Sequence, residues 1–91
     1  MQVVWLDNAI RDLQHIYAYI QEYNPIASKE IAQKIITSVE MLGDFPYMSR
    51  QGIVPDTREF MITGTKYYAV ISLARERVQI LNILHEAQDW K

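Results

Sequence analysis

Between Ala9 and Leu42 the apolar residues recur every three or four positions, and from Thr57 onward they alternate. A change of period from about 3.6 to 2 marks a passage from helix to strand. It confines the chain to folds that lay helices against a sheet. The first helix carries Ile10, Leu13, Ile16, Tyr17 and Ile20 on one face, with Asp7 or Asn8 as its expected cap. Asn24-Pro25 ends that helix and opens another. Asn24 can cap the second helix, and Pro25 suits its first position, where a missing N–H costs nothing. Ile31, Ile35, Val39 and Leu42 line one side of it, Gly43 fits its end, and Pro46 lies beyond. So short a break implies an antiparallel helical hairpin.

The rest of the chain reads as strands and turns. "VVW" (3–5) is a short apolar stretch of β-formers and a first strand. Residues 43–56, "GDFPYMSRQGIVPD", read as a loop. "TREFMI" (57–62), "KYYAVISLA" (66–74) and "RVQILNILH" (77–85) are strands separated by the hairpin-length breaks "TGT" and "RE". The order is β-α-α-β-β-β. A two-layer α+β domain follows, with the helical hairpin packed on one face of a small antiparallel-meander sheet and the first strand joining that sheet. The other face is left open. Tyr67, Ala69, Ile71 and Leu73 are assigned to the core face, and Lys66, Tyr68, Val70 and Ser72 to the open face. A two-residue turn at Thr63-Gly64 sends Phe60 and Ile62 inward and Glu59 and Met61 outward. The last hairpin is ambiguous by one residue, and a slip of one inverts every facing. The preferred register puts His85 on the open face, across from Lys66.

Totals narrow the function classes. Residues 1–91 are enough for one domain, and 49% hydrophobic residues can fill one core. With no cysteine there is neither a disulfide framework nor a thiolate metal site. The only histidines are His15 and His85, and no H-E-x-x-H spacing occurs, so no metal is expected. No organic cofactor is implied either. Charges appear by Asp7 and no apolar run approaches the roughly 18 residues of a membrane span, so a cytoplasmic protein is expected. Nine Lys and Arg against eleven Asp and Glu give a net charge of −2, with no run of like charge. A globally basic surface for gripping RNA through its phosphates is therefore excluded, although a local basic patch is not.

The start "VVWLDNAIRDL", the helix end "LGDFPYMSR", the segment "TREFMITGTKYYAVIS" and the close "VQILNILHEAQDW" together resemble the RelE/ParE toxins of type II toxin–antitoxin systems. The resemblance spans nearly the whole chain in the right order. It implies a cognate antitoxin as partner. It also implies one of two targets. RelE-like members cut messenger RNA on the ribosome, a reaction that must deprotonate the 2′-hydroxyl, stabilise phosphate charge and protonate the leaving oxygen. They do so with Lys and Arg on the open sheet face and just beyond the last strand. The matching places here hold Glu59, Met61, Tyr68 and Gln88, none of them cationic. Losing one such donor costs about 3 kcal/mol of transition-state stabilisation. ParE-like members instead poison DNA gyrase by binding it, which needs a complementary surface. The resemblance to the ParE-like branch is the preferred one. The alternatives are a ribosome-dependent endoribonuclease, with Glu59 or His85 moving protons and Arg58 or Lys66 holding phosphate, and a degenerate toxin that only binds its antitoxin.

Individual residues each carry a functional and a structural reading. His85 is either a contact or acid at the open face, or a strand-end histidine bonded to a carbonyl. Arg58 is either functional or a structural ion-pair partner, and Arg50 either an anion contact or a solvated loop charge. Tyr68 either anchors a partner or packs on the sheet. Tyr17, Tyr19 and Tyr23, together with Ile16 and Ile20, exceed a single 100° stripe. Tyr17, Ile20 and Tyr23 therefore belong either to a wide core face or to an antitoxin-binding surface. Trp90 either folds back on the core or joins that interface.

Overall fold

The computed structural model describes residues 1–88, so Trp90 lies outside the described residues. The chain runs β1 (Gln2–Trp5), α1 (Asp7–Tyr23), α2 (Pro25–Glu40), two short 3-10 turns (Met41–Gly43 and Pro46–Met48), β2 (Arg50–Gln51), β3 (Arg58–Met61), β4 (Tyr67–Ala74) and β5 (Arg77–His85). Two helices cover one face of a five-stranded sheet ordered β1-β5-β4-β3-β2. The meander β3-β4-β5 is antiparallel, and β1 joins β5 in parallel, which makes the sheet mixed. The segment expected to be all loop contributes β2, a two-residue edge strand against β3.

The helical hairpin follows local chemistry closely. Asn24 Oδ1 accepts the Ala27 N–H at 3.1 Å and Pro25 takes the first helical turn, as its missing donor allows. The same Asn24 ends α1 by donating its backbone N–H to Ile20 O at 2.8 Å. The start of α1 differs from expectation. Its cap is Leu6, with no side-chain cap bond, and Asp7 lies already in the first turn. Leu6 donates its N–H to Ile80 O at 3.0 Å, so the sheet itself sets where the helix departs. Asp7 then complements the helix dipole instead of capping.

The core joins Ala9, Ile35, Val39 and Leu42 from the helical layer to Ile62, Ala69, Ile71, Val78, Ile80 and Ile83 from the sheet. Ile10, expected inward, is exposed, and Ala9, one position earlier, is buried in its stead. Phe60 and Ile62 turn inward and Met61 outward, as expected, although the loop closes differently. Ile62 faces Tyr67 across a four-residue connection, with Gly64 at φ +81°, and Met61 pairs with Tyr68. Two more loop residues shift the register by two, which preserves each facing. Tyr68 and Val70 lie on the face away from the helices yet are buried, so that face is covered along the middle of β4.

The register of β5 decides the site. Its hairpin with β4 closes through a two-residue turn at Arg75-Glu76, both with positive φ (54° and 59°), the handedness that suits the twist of tight hairpins. Ala74 to Ile71 pair with Arg77 to Ile80 in the expected register. A β-bulge then leaves Leu81 as an extra residue, so Val70 pairs with Asn82 and Tyr67 with His85. His85 thereby moves from the open face, where the unbulged register puts it opposite Lys66, to the face packed under α1. Without the bulge, Asn82 would pair with Ala69 and point its amide into the core. With it, Ile83 takes that place and is buried.

Candidate functional site

Two surfaces gather the polar residues that carry chemistry, one on each side of the sheet. On the open face a hollow of about 180 Å³ is lined by Arg50, Ile53, Glu59, Met61, Tyr68, Glu86 and Gln88. Glu59 and Met61 come from β3, Tyr68 from β4, Arg50 from the edge strand β2, and Glu86 and Gln88 from the turn after β5. The four positions matched to the nuclease arrangement, Glu59, Met61, Tyr68 and Gln88, therefore share one hollow. Among the described residues Arg50 is its only cationic lining residue, and its guanidinium pairs with Glu59 at 3.4 Å. That is an exposed pair, with the Arg50 side chain 77% accessible, so it adds little to stability. The Tyr68 hydroxyl donates to Gln88 O at 2.7 Å, fixing the terminal turn over the sheet.

His85 and Arg58 are not in this hollow. His85 lies edge-on to Tyr67, with ring centroids 5.5 Å apart, on the α1 side. Its Nδ1 accepts the Ala87 N–H at 3.1 Å. It is held by a backbone amide, rather than by the carbonyl that the strand-end reading expected. Arg58 pairs across the sheet with Ile71, a core-face residue, so it points away from Glu59. Its Nε donates to Ser49 Oγ at 2.8 Å, its Nη2 to Ser49 O, and its guanidinium lies 5.2 Å from the centre of the Tyr47 ring. These contacts pin the second 3-10 turn to β3. Lys66 is exposed, and its carbonyl accepts the Glu86 N–H at 2.7 Å.

The α1 surface holds the other sequence-derived positions. Tyr17 and Ile20 are half-buried, Tyr23 is 73% exposed, and Tyr19 packs against Tyr23 with its ring tilted and centroids 5.3 Å apart. Burial, and secondarily the neighbouring Tyr19, push the Tyr67 phenol above its usual 10.0. Asp12 escaped the sequence reading. Its Oδ2 accepts both Asn82 Nδ2–H and the Ile83 N–H, each at 2.9 Å, just past the end of β1. The one available signal was Asn82 itself, an amide that an uninterrupted alternation would bury. Among the described residues no three His, Cys, Asp or Glu side chains gather as a metal site, and no helix is long and apolar enough to cross a membrane.

Comparison with known proteins defines first a class. A chain of the chromosomal ParDE TA system from P. aeruginosa matches with a TM-score of 0.87 over 93% of this chain and 95% of that one, at 24% identity. The isolated E. coli RelE toxin matches at 0.58, over 97% of this chain and 86% of that one, at 9% identity. The fold is that of these small toxins. Among curated proteins, "Putative toxin Y4kP" of Sinorhizobium fredii is 32% identical over 98% of this chain and 92% of its own length. "Toxin RelE2" of Caulobacter vibrioides is 29% identical over 96% and 97%. The model of the ParE toxin of type II toxin-antitoxin system, parDE, matches residues 3–90, and the chain belongs to that family.

Proposed function

We propose that this type II toxin acts by capturing DNA gyrase and is held inactive by a cognate antitoxin. The observation that supports binding over RNA cleavage is the composition of the open-face hollow. A cleaving site needs cations for the phosphate and a proton donor for the leaving oxygen. Among the described residues the hollow carries two carboxylates, Glu59 and Glu86, and one guanidinium already engaged by Glu59. The histidine that a nuclease reading would use as acid stands behind the sheet, against Tyr67. In this reading Tyr17, Ile20 and Tyr23 on α1 form the antitoxin contact, and Tyr68 braces the terminal turn that borders the target-facing surface.

The test is gyrase supercoiling of relaxed plasmid with purified toxin, run beside mapping of messenger cleavage after induction. Expected are inhibited supercoiling, uncut messengers, and undiminished toxicity of Glu59→Ala. Cuts in ribosome-bound messenger that vanish with Glu59→Ala or His85→Ala would replace this reading with the endoribonuclease. A chain that binds antitoxin but neither slows growth nor inhibits gyrase would be an interaction module only.

A further inference from the structure

The bulge in β5 brings the chain's two histidines to one place. A cavity of about 540 Å³ opens between α1 and the end of the sheet, lined by His15, Ile16, Tyr19, Tyr67, His85 and Gln88. None of these residues is a carboxylate, a lysine or an arginine. Each polar end can donate, and two have no other role left. His85 Nδ1 accepts the Ala87 N–H, so the neutral ring keeps its proton on Nε2, and Nε2–H is the donor left. Gln88 Oε1 accepts the His85 N–H at 2.9 Å, which leaves the amide NH₂ as its free end. The Tyr67 phenol, its titration pushed upward by burial and by Tyr19, stays protonated through neutral pH. The Tyr19 and Tyr67 hydroxyls and the His15 ring make no hydrogen bond to another described residue.

We infer that this cavity binds a carboxylate, the side chain of a glutamate or aspartate on a protein partner, with His85 Nε2–H and the Gln88 amide as fixed donors and His15 and the two phenols completing the set. The occupant is a protein side chain and not a nucleic-acid phosphate for three reasons. Among the described residues the lining has no Arg or Lys, the groups that phosphate recognition uses most. The chain is net negative. The rim carries the exposed Tyr19–Tyr23 pair, an aromatic anchor of the kind that dominates protein contacts. The site rests on the reading of this toxin as a protein-docking molecule, but not on which protein it docks. A negative gyrase assay leaves it standing, and its own failure leaves gyrase capture untouched.

Affinity rises as the pH falls, because a carboxylate favours imidazolium. The groups that face the cavity are His15 and Tyr19 from α1, Tyr67 from β4, His85 from β5 and Gln88 from the terminal turn. Glu86 of that turn lines the opposite hollow, and the Asp12 carboxylate is engaged by Asn82 and Ile83. A His85 ring protonated on both nitrogens would forfeit the bond from the Ala87 N–H, whereas the His15 ring has no such bond to a described residue to lose.

The experiment titrates the full chain, isotope-labelled, with acetyl-glutamate-amide while following the Cε1–H signals of both histidines at about pH 5.5 and about pH 8, either side of the ordinary imidazole value. Both signals should move saturably, with affinity about twofold to fivefold weaker at the higher pH, the effect of losing one exposed ion pair. His15→Gln, on an exposed helical position, should remove that pH dependence while the remaining spectrum stays native. Acetyl-glutamine-amide should not bind. The inference is overturned if neither histidine signal moves, if the glutamine analogue binds as tightly, or if inorganic phosphate binds more tightly than the carboxylate.

Discussion

Replacing Asp12 by alanine tests the device that sets the facing of β5. β1 ends at Trp5, so β5 continues beyond Ile80 with no strand on that side. Two outward N–H groups are left there, those of Ile83 and His85, and side chains satisfy both. Asp12 Oδ2 takes Ile83, together with Asn82 Nδ2, and Gln88 Oε1 takes His85. Hydrogen bonds to a charged acceptor contribute about 1.5–3 kcal/mol each, and these two share one oxygen in a half-buried setting, so Asp12→Ala should cost about 2 kcal/mol. At roughly 4–8 °C per kcal/mol for a domain of this size, the melting temperature should fall by about 8–16 °C. Asp12→Asn keeps an accepting oxygen and should lose about half as much. Urea or thermal unfolding gives the energies. Hydrogen exchange at the Ile83 amide, and the ring contact between Tyr67 and His85, report the bulge itself. If Asp12→Ala unfolds within about 0.5 kcal/mol of the parent and Ile83 stays protected, the carboxylate does not hold the bulge.

Other expectations follow from the packing. Ile35→Ala removes a side chain with no exposed surface and should cost about 2–5 kcal/mol in equilibrium unfolding, the upper end if the helices cannot close over the void. Asn24→Ala, which deletes the cap of α2, should cost about 1 kcal/mol, and Asn24→Gly only a few tenths. A Cβ on Gly43 would stand 2.8 Å from the Met1 carbonyl, so Gly43→Ala should destabilise by about 1–3 kcal/mol, read as a lower denaturant midpoint. The raised titration of Tyr67 contributes stability that is fully present below pH 10 and is lost as the pH climbs through the shifted value. Tyr67→Phe should therefore flatten the alkaline limb of the stability profile, and an unchanged limb would put the shift elsewhere.

The layers of this fold were legible because they rest on strong local signals. Asn24-Pro25 both ends one helix and starts the next, and Ile31, Ile35, Val39 and Leu42 keep strict helical spacing and pack inward. On β3 and β4 clean alternation puts Phe60, Ile62, Ala69 and Ile71 on the core side whether the connection holds two residues or the four that the structure has. The grouping of Glu59, Met61, Tyr68 and Gln88 came from resemblance, and the hollow does bring them together. Arg58 could not be read the same way. Its strand position was plain, but its attachment to Ser49 and Tyr47 depends on how the turn at 46–48 folds back, which no periodicity records.

The sequence by itself determined the order of the main elements, the two layers and the lack of a globally basic surface, because each rests on residue spacing or on a sum of charges. Only the tertiary structure decided which way the end of β5 faces. The run "ILNIL" is apolar on both parities, so alternation loses its meaning there. The choice falls to a carboxylate on α1, far away in the chain, and to the cost of burying Asn82 in the core. One inserted residue, Leu81, then carries His85 through the plane of the sheet to meet His15 on the other side.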